Sequence, residues 1–141
     1  MAKIAVNSPI RFRTTYDFAK LHNKMREIIG KHLNRHALST ADGAKANIDK
    51  GVKPSLAQST IKTRKAKGIT GTKPLYETGN LHGSIMSTKK GKPKLKMLKY
   101  GIYHHRGEGV PERKFINPTK SDFKKNFDKF KKDVREAFKK W

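Results

Sequence analysis

YGIYHHRGEGVPERKFINP, Tyr100 to Pro118, holds two adjacent histidines, a glutamate between glycines and a Pro-x-Arg-x-Phe run. Whether it is strand or helix decides how the domain is built, and whether its polar residues meet decides what it could do. Tyr100–His105 is expected to continue or pair with the strand before it, with Gly101 at a bulge. Arg113–Asn117 is read as a further short strand after a loop ending at Pro111, a rigid turn that delivers Arg113 outward and Phe115 inward. Successive strand residues point to opposite faces, so His104 and His105 are not expected to bind one ion together. One is read as a packed imidazole and the other as a surface group.

Working outward, Ser84–Lys89 and Lys94–Lys99 are expected to form two strands joined by the turn Lys90-Gly91-Lys92-Pro93. Asn117-Pro118 then breaks the extended run, and Thr119 or Ser121 caps a last helix over 119–141. In that helix Phe123, Phe127, Phe130, Val134 and Phe138 recur at spacings of three and four, the clearest amphipathic pattern in the chain. At the other end, Thr14 or Thr15 is expected to cap a helix over 15–36, with Asp17 in its first turn and an apolar face of Phe18, Leu21, Met25, Ile28, Ile29 and Leu33. Residues 37–53, small and polar, read as a loop. A shorter helix is expected over 54–67, ended by Gly68, and Thr78 is a plausible cap for one helical turn near Leu81. Together these predict one α+β domain, a small mostly antiparallel sheet (about 84–117) packed against an N-terminal and a C-terminal helix.

Charge is the unusual property. The chain has 141 residues, 34 Lys+Arg against 11 Asp+Glu, and a net charge of +23. A chain this basic favours partners that carry negative charge. The excess lies mostly in residues 53–99, whereas the opening stretch is nearly neutral. No apolar run is long enough to span a membrane, and no membrane partner is expected. MAKIAVNSPIRF lacks the apolar core of a secretion signal, so synthesis and assembly in the cytoplasm are the expectation. The absence of cysteine excludes disulfides, a thiol nucleophile and thiolate metal sites.

Four patterns invite a chemical reading. His104, His105 and Glu108 could hold a metal or act as base and helper, and with Asn117 and Asn126 they could be arranged as a His-Asn-His nuclease. His32 and His36 share a helical face at metal-ligand spacing but have no carboxylate at a matching position. GITGTKP lacks the strand before and the Gly-Lys-Thr after that a phosphate-binding loop needs. No catalytic, metal or cofactor site is therefore expected. Finally, Lys62, Arg64, Lys65, Lys67, Lys89, Lys90, Lys92 and Lys94 are expected to form a basic surface for DNA phosphates or an acidic partner, without base specificity.

Three motifs occur in a recognisable order. Leu56-Ala-Gln-Ser-Thr60-Ile-Lys-Thr-Arg64-Lys65 is followed by Pro74-Leu75-Tyr-Glu-Thr78-Gly79-Asn-Leu81-His-Gly-Ser84-Ile85. Then come Tyr100-Gly-Ile-Tyr-His104-His-Arg-Gly107 and Pro111-Glu-Arg113-Lys-Phe115. In this the chain resembles the tailed-phage virion morphogenesis proteins, the tail-completion or neck family of the phage Mu gene G type. The likeness covers residues 54–118, with the flanking helices similar in pattern only. His105 stands where that family usually has Gln or Glu, and Lys114 where it usually has proline. The resemblance implies a non-enzymatic virion protein that assembles as a ring, most simply a hexamer. That ring would join the head connector to the tail around the DNA, beside other neck, connector and tail proteins. It also implies assembly contacts at Thr78, Gly79, Leu81, His104, Gly107, Pro111, Arg113 and Phe115.

Overall fold

The computed structural model describes residues 17–88 and 92–139. The expected caps Thr14 and Thr15, Lys89 at the end of the first expected strand, and Lys90 of the expected turn lie outside them. The domain is α+β, with a long helix near each end and one small antiparallel sheet between them in sequence. Helix α1 spans Phe18–Lys50, α2 Gln58–Ala66 and α3 Asn80–Ser84. Strands β1 (Met86–Ser87) and β2 (Leu95–Lys96) pair antiparallel, Met86 opposite Lys96 and Ser87 opposite Leu95. Helices α4 (Lys99–Arg106) and α5 (Lys120–Lys139) complete the described residues.

Asp17 caps α1 by accepting from the Lys20 amide at 3.1 Å. The helix then continues as far as Lys50, through most of residues 37–53, where a loop was expected. Its small residues form a packing face instead: Ala41, Ala44 and Ile48 are buried, three and four residues apart. Within the helix, Thr40 donates its hydroxyl to the His36 carbonyl one turn back at 2.9 Å. Gly51, at φ 87, ends the helix. The second helix begins at Gln58, later than expected, because Ala57 is still extended.

The larger correction falls on the stretch quoted first. Residues 99–106 are helical, and Arg113–Asn117 form no strand. Gly101 marks close packing rather than a bulge. A Cβ there would lie 2.7 Å from Leu81 Cδ1 and 3.2 Å from Met97 Sδ, so only glycine lets α4 approach the core this closely. Gly107, at φ 73, and the bond from the Glu108 amide to the Tyr103 carbonyl at 3.0 Å stop the helix in the manner of a Schellman cap. The strands are consequently shorter than expected, since Ser84 belongs to α3 and Lys99 to α4.

One core joins these parts. Phe115, fully buried, packs with Ala41, Ala44, Ile48 and Val52 from α1 and its exit, and with Leu81 and Ile85. Asn47 of α1 donates to the Phe115 carbonyl at 2.9 Å. Ser84 ties α3 to the start of α4, giving its hydroxyl proton to the Leu81 carbonyl at 2.7 Å and accepting from the Leu98 amide at 3.1 Å. The N-terminal half of α1 meets α5 in a second seam, where Ile28, Asn126 and Ala137 are buried and Phe130 lies 4.7 Å from the His32 ring. Thr119 caps α5 as expected, accepting from the Asp122 amide at 3.1 Å.

The two aromatic positions should respond very differently to truncation. Phe115→Ala is expected to cost about 3–5 kcal/mol because it empties the core. Phe123→Ala, at a site 53% exposed, should cost less than about 1 kcal/mol. Urea denaturation of both variants measures the difference.

Candidate functional site

The three motifs of the sequence converge on one cleft of about 860 Å³. Its walls come from residues 54–57 before α2, from α2, from the segment leading into α3, and from α4 with the loop after it. Two arginines form the basic part of the lining, and both are 6% exposed.

Arg64 lies in the last turn of α2. Its Nη1 donates to the carbonyls of Gly71 (3.1 Å) and Lys73 (3.0 Å), folding the connector back onto the helix. Its Nη2 faces the Glu77 carboxylate at 3.4 Å. Arg64 was expected on the basic surface with its lysine neighbours, and that is corrected: the guanidinium is turned inward because its donors satisfy backbone carbonyls that would otherwise go unpaired. Lys62, Lys65, Lys67, Lys92 and Lys94 are exposed as expected.

Arg113 is likewise inward, contrary to the turn geometry expected from Pro111. Its amide donates to the His104 carbonyl at 2.7 Å, pinning the loop to the last turn of α4. Its Nε donates to the Pro54 carbonyl at 3.0 Å, and Nη1 approaches the Pro111 carbonyl at 3.4 Å and His104 Nδ1 at 3.5 Å. Burial, and then the neighbouring Arg64, lower its pKa from the ordinary value. No carboxylate among the described residues makes an ion pair with it; the adjacent Glu112 pairs with Lys114 at 3.3 Å.

The histidine pair is separated by the helix rather than by a strand. His104 lines the cleft, and burial, then Arg113, push its pKa below the usual value, so the imidazole stays neutral and can accept from the guanidinium. His105 sets its ring edge-on against Phe115, 5.5 Å between centroids. Glu108 pairs with Arg106 at the surface, 3.3 Å away. Asn126 lies in the α1–α5 seam, its backbone carbonyl facing His32. The side chains of the possible His-Asn-His arrangement are thus distributed over different parts of the fold. His32 and His36 pack against Phe130 and Phe123 rather than facing solvent together.

Of the expected contact residues, Leu81 and Phe115 are core, Gly79 (φ 77) and Gly107 serve backbone turns, and Thr78, His104 and Pro111 border the cleft. Sequence reasoning missed Pro54, Leu75, Glu77 and Tyr100, which also line it. Leu75 holds φ 64, a left-handed conformation rare for a branched side chain and common at functional sites. One signal for α4 was legible: His104-His105-Arg106-Gly107 is a basic last turn followed by glycine, a helix stop.

Removing the Arg64 guanidinium by Arg64→Met should cost about 2–3 kcal/mol, because the Gly71 and Lys73 carbonyls lose a charged donor; chemical denaturation reads it directly. Acidification should also weaken the fold. His104 and His32 both have lowered pKa values, burial being the first cause for each. The unfolded chain therefore binds more protons below the usual histidine value. Their contribution is complete above that value and is lost as pH falls through it toward the folded-state values. Denaturation midpoints measured across this range should decline, and the decline should be shallower in His104→Gln and His32→Gln.

No protein-family model, curated protein or solved structure matches the chain, so the reading of the cleft rests on its own residues and geometry.

Proposed function

We propose that this chain is a structural protein of the tailed-phage head-to-tail junction. It acts by assembly rather than catalysis, and its copies form a ring, most simply of six, joining the head connector to the tail around the DNA channel. One observation carries the reading. The motif residues that resemble the neck family meet at a single cleft, and their polar side chains are committed to backbone carbonyls: Arg64 to Gly71 and Lys73, Arg113 to Pro54. Side chains used in this way hold surface segments in fixed positions, which is what a subunit contact requires.

Exposed apolar surface favours the same reading. Phe123, Phe127 and Phe138 of α5, and Tyr100, Ile102 and Tyr103 of α4, all remain exposed. Apolar residues clustered on helix faces in this way mark interaction surfaces more often than the surface of a lone monomer. The exposed lysines of α2 and of the hairpin favour a second reading, a sequence-independent DNA-binding protein outside the virion.

Native mass spectrometry and electron microscopy separate the two. The junction reading expects a closed ring of fixed stoichiometry, alone or with neck partners, and density for this chain at the head-to-tail boundary of virions. A monomer or dimer absent from virions, with DNA affinity falling steeply as salt rises, would establish the second reading instead.

A further inference from the structure

We infer that the two-arginine cleft is a receptor for a carboxylate side chain, presented by a peptide segment of a partner protein with apolar residues beside the acid. The inference concerns the chemistry of the cleft and holds whether or not the partner is a neck protein.

The starting point is Arg113. A guanidinium 6% exposed and without a carboxylate partner is an uncommon and costly arrangement, because carbonyl oxygens replace only part of the lost hydration. Its Nε and Nη1 face protein acceptors, the His104 contact being neutral. Its Nη2 has no hydrogen-bond partner among the described residues, although the side chain lines an open cleft. Arg64 stands near enough to depress its pKa, and Glu77 is the one carboxylate in the lining among the described residues. The cleft therefore holds two guanidinium charges against one carboxylate, an unfilled place for a planar acceptor.

The rest of the lining selects the kind of anion. Leu56, Leu75, Leu81 and Tyr100 make much of the wall apolar, and about 860 Å³ is of the size that encloses a few residues of peptide. A nucleic-acid backbone would bury none of this apolar surface, would meet Glu77 at the rim, and could not bring a phosphate of a stiff duplex down to a side chain so deeply set. The exposed lysines are better placed for phosphates. An acidic residue flanked by leucine-like side chains satisfies both the charge and the wall.

The test uses the full ¹⁵N-labelled chain at about 150 mM salt, where attraction between exposed charges is screened beyond roughly 8 Å. The probes are acetyl-Leu-Glu-Leu-amide and acetyl-Leu-Gln-Leu-amide, followed by NMR at the Arg113 Nε–H and the Thr78 and Tyr100 amides. The glutamate peptide should shift these signals saturably, and the glutamine peptide should bind about tenfold more weakly or worse, the usual advantage of a charge-assisted bond. Glu77→Gln, an exposed change that removes the resident competitor, should tighten the glutamate peptide several-fold, whereas Arg113→Lys should weaken it. Should Arg113→Lys fail to fold, Glu77→Gln still decides. Equal binding of the two peptides, or shifts confined to the exposed lysines, would overturn the inference. So would inorganic phosphate or a short DNA duplex moving the Arg113 signal at lower concentration than the peptide.

Discussion

Burial of Phe115 against the small face of α1 is the contact on which the remaining structure depends. Ala41, Ala44 and Ile48 leave room for the ring, and Asn47 holds its carbonyl at 2.9 Å. With the loop fixed at that point, α4 has to lie over Leu81, and it can do so because residue 101 has no side chain. The same loop carries Arg113 two residues away, so the position of the guanidinium follows from that of the ring. A hydrophobic anchor thus sets the geometry of a charged site, with most of the favourable free energy coming from the apolar partner.

The cleft that results is polar in an economical way. Arg64 Nη1 and Arg113 Nε and Nη1 are directed at backbone carbonyls, which lets loops without regular structure approach one another without leaving those acceptors unpaired, while Arg64 Nε is buried with no partner among the described residues. The remaining imbalance, two guanidinium groups and one carboxylate, is small beside the +23 of the whole chain. It differs in kind from the surface lysines. Those are solvated and act at a distance, whereas the arginines are recessed and can act only on a group that enters. One protein can therefore present a diffuse field to a polyanion and a shaped site to a single acid.

Much of the architecture was legible from spacing. The phenylalanine stripe of α5, its Thr119 cap, the first helix from Phe18 onward and the lysine-rich hairpin all follow from periodicity and capping chemistry, because these signals are local. The motif order of residues 54–118 also pointed to one constellation. Two readings failed for a common reason. Residues 37–53 hold few large apolar side chains, Leu38, Ile48 and Val52, and so looked like a loop, yet their alanines suit a face against which a phenylalanine packs. Tyr100–His105 looked like a strand because aromatic and β-branched residues favour strands, until packing of Gly101 against Leu81 selected the helix.

What the sequence by itself determined is therefore the class of domain, its strong positive charge, the end helices and the residues that would gather. What only the tertiary structure decided is which way those residues turn. Arg64 and Arg113 look like surface charges when read singly, since an isolated arginine is most stable in water. They are inside because carbonyls stand where their donors can reach: for Arg64 these are Gly71 and Lys73 of the connector just after its helix, and for Arg113 it is Pro54, 59 residues away. That meeting is a property of the fold and has no local signature.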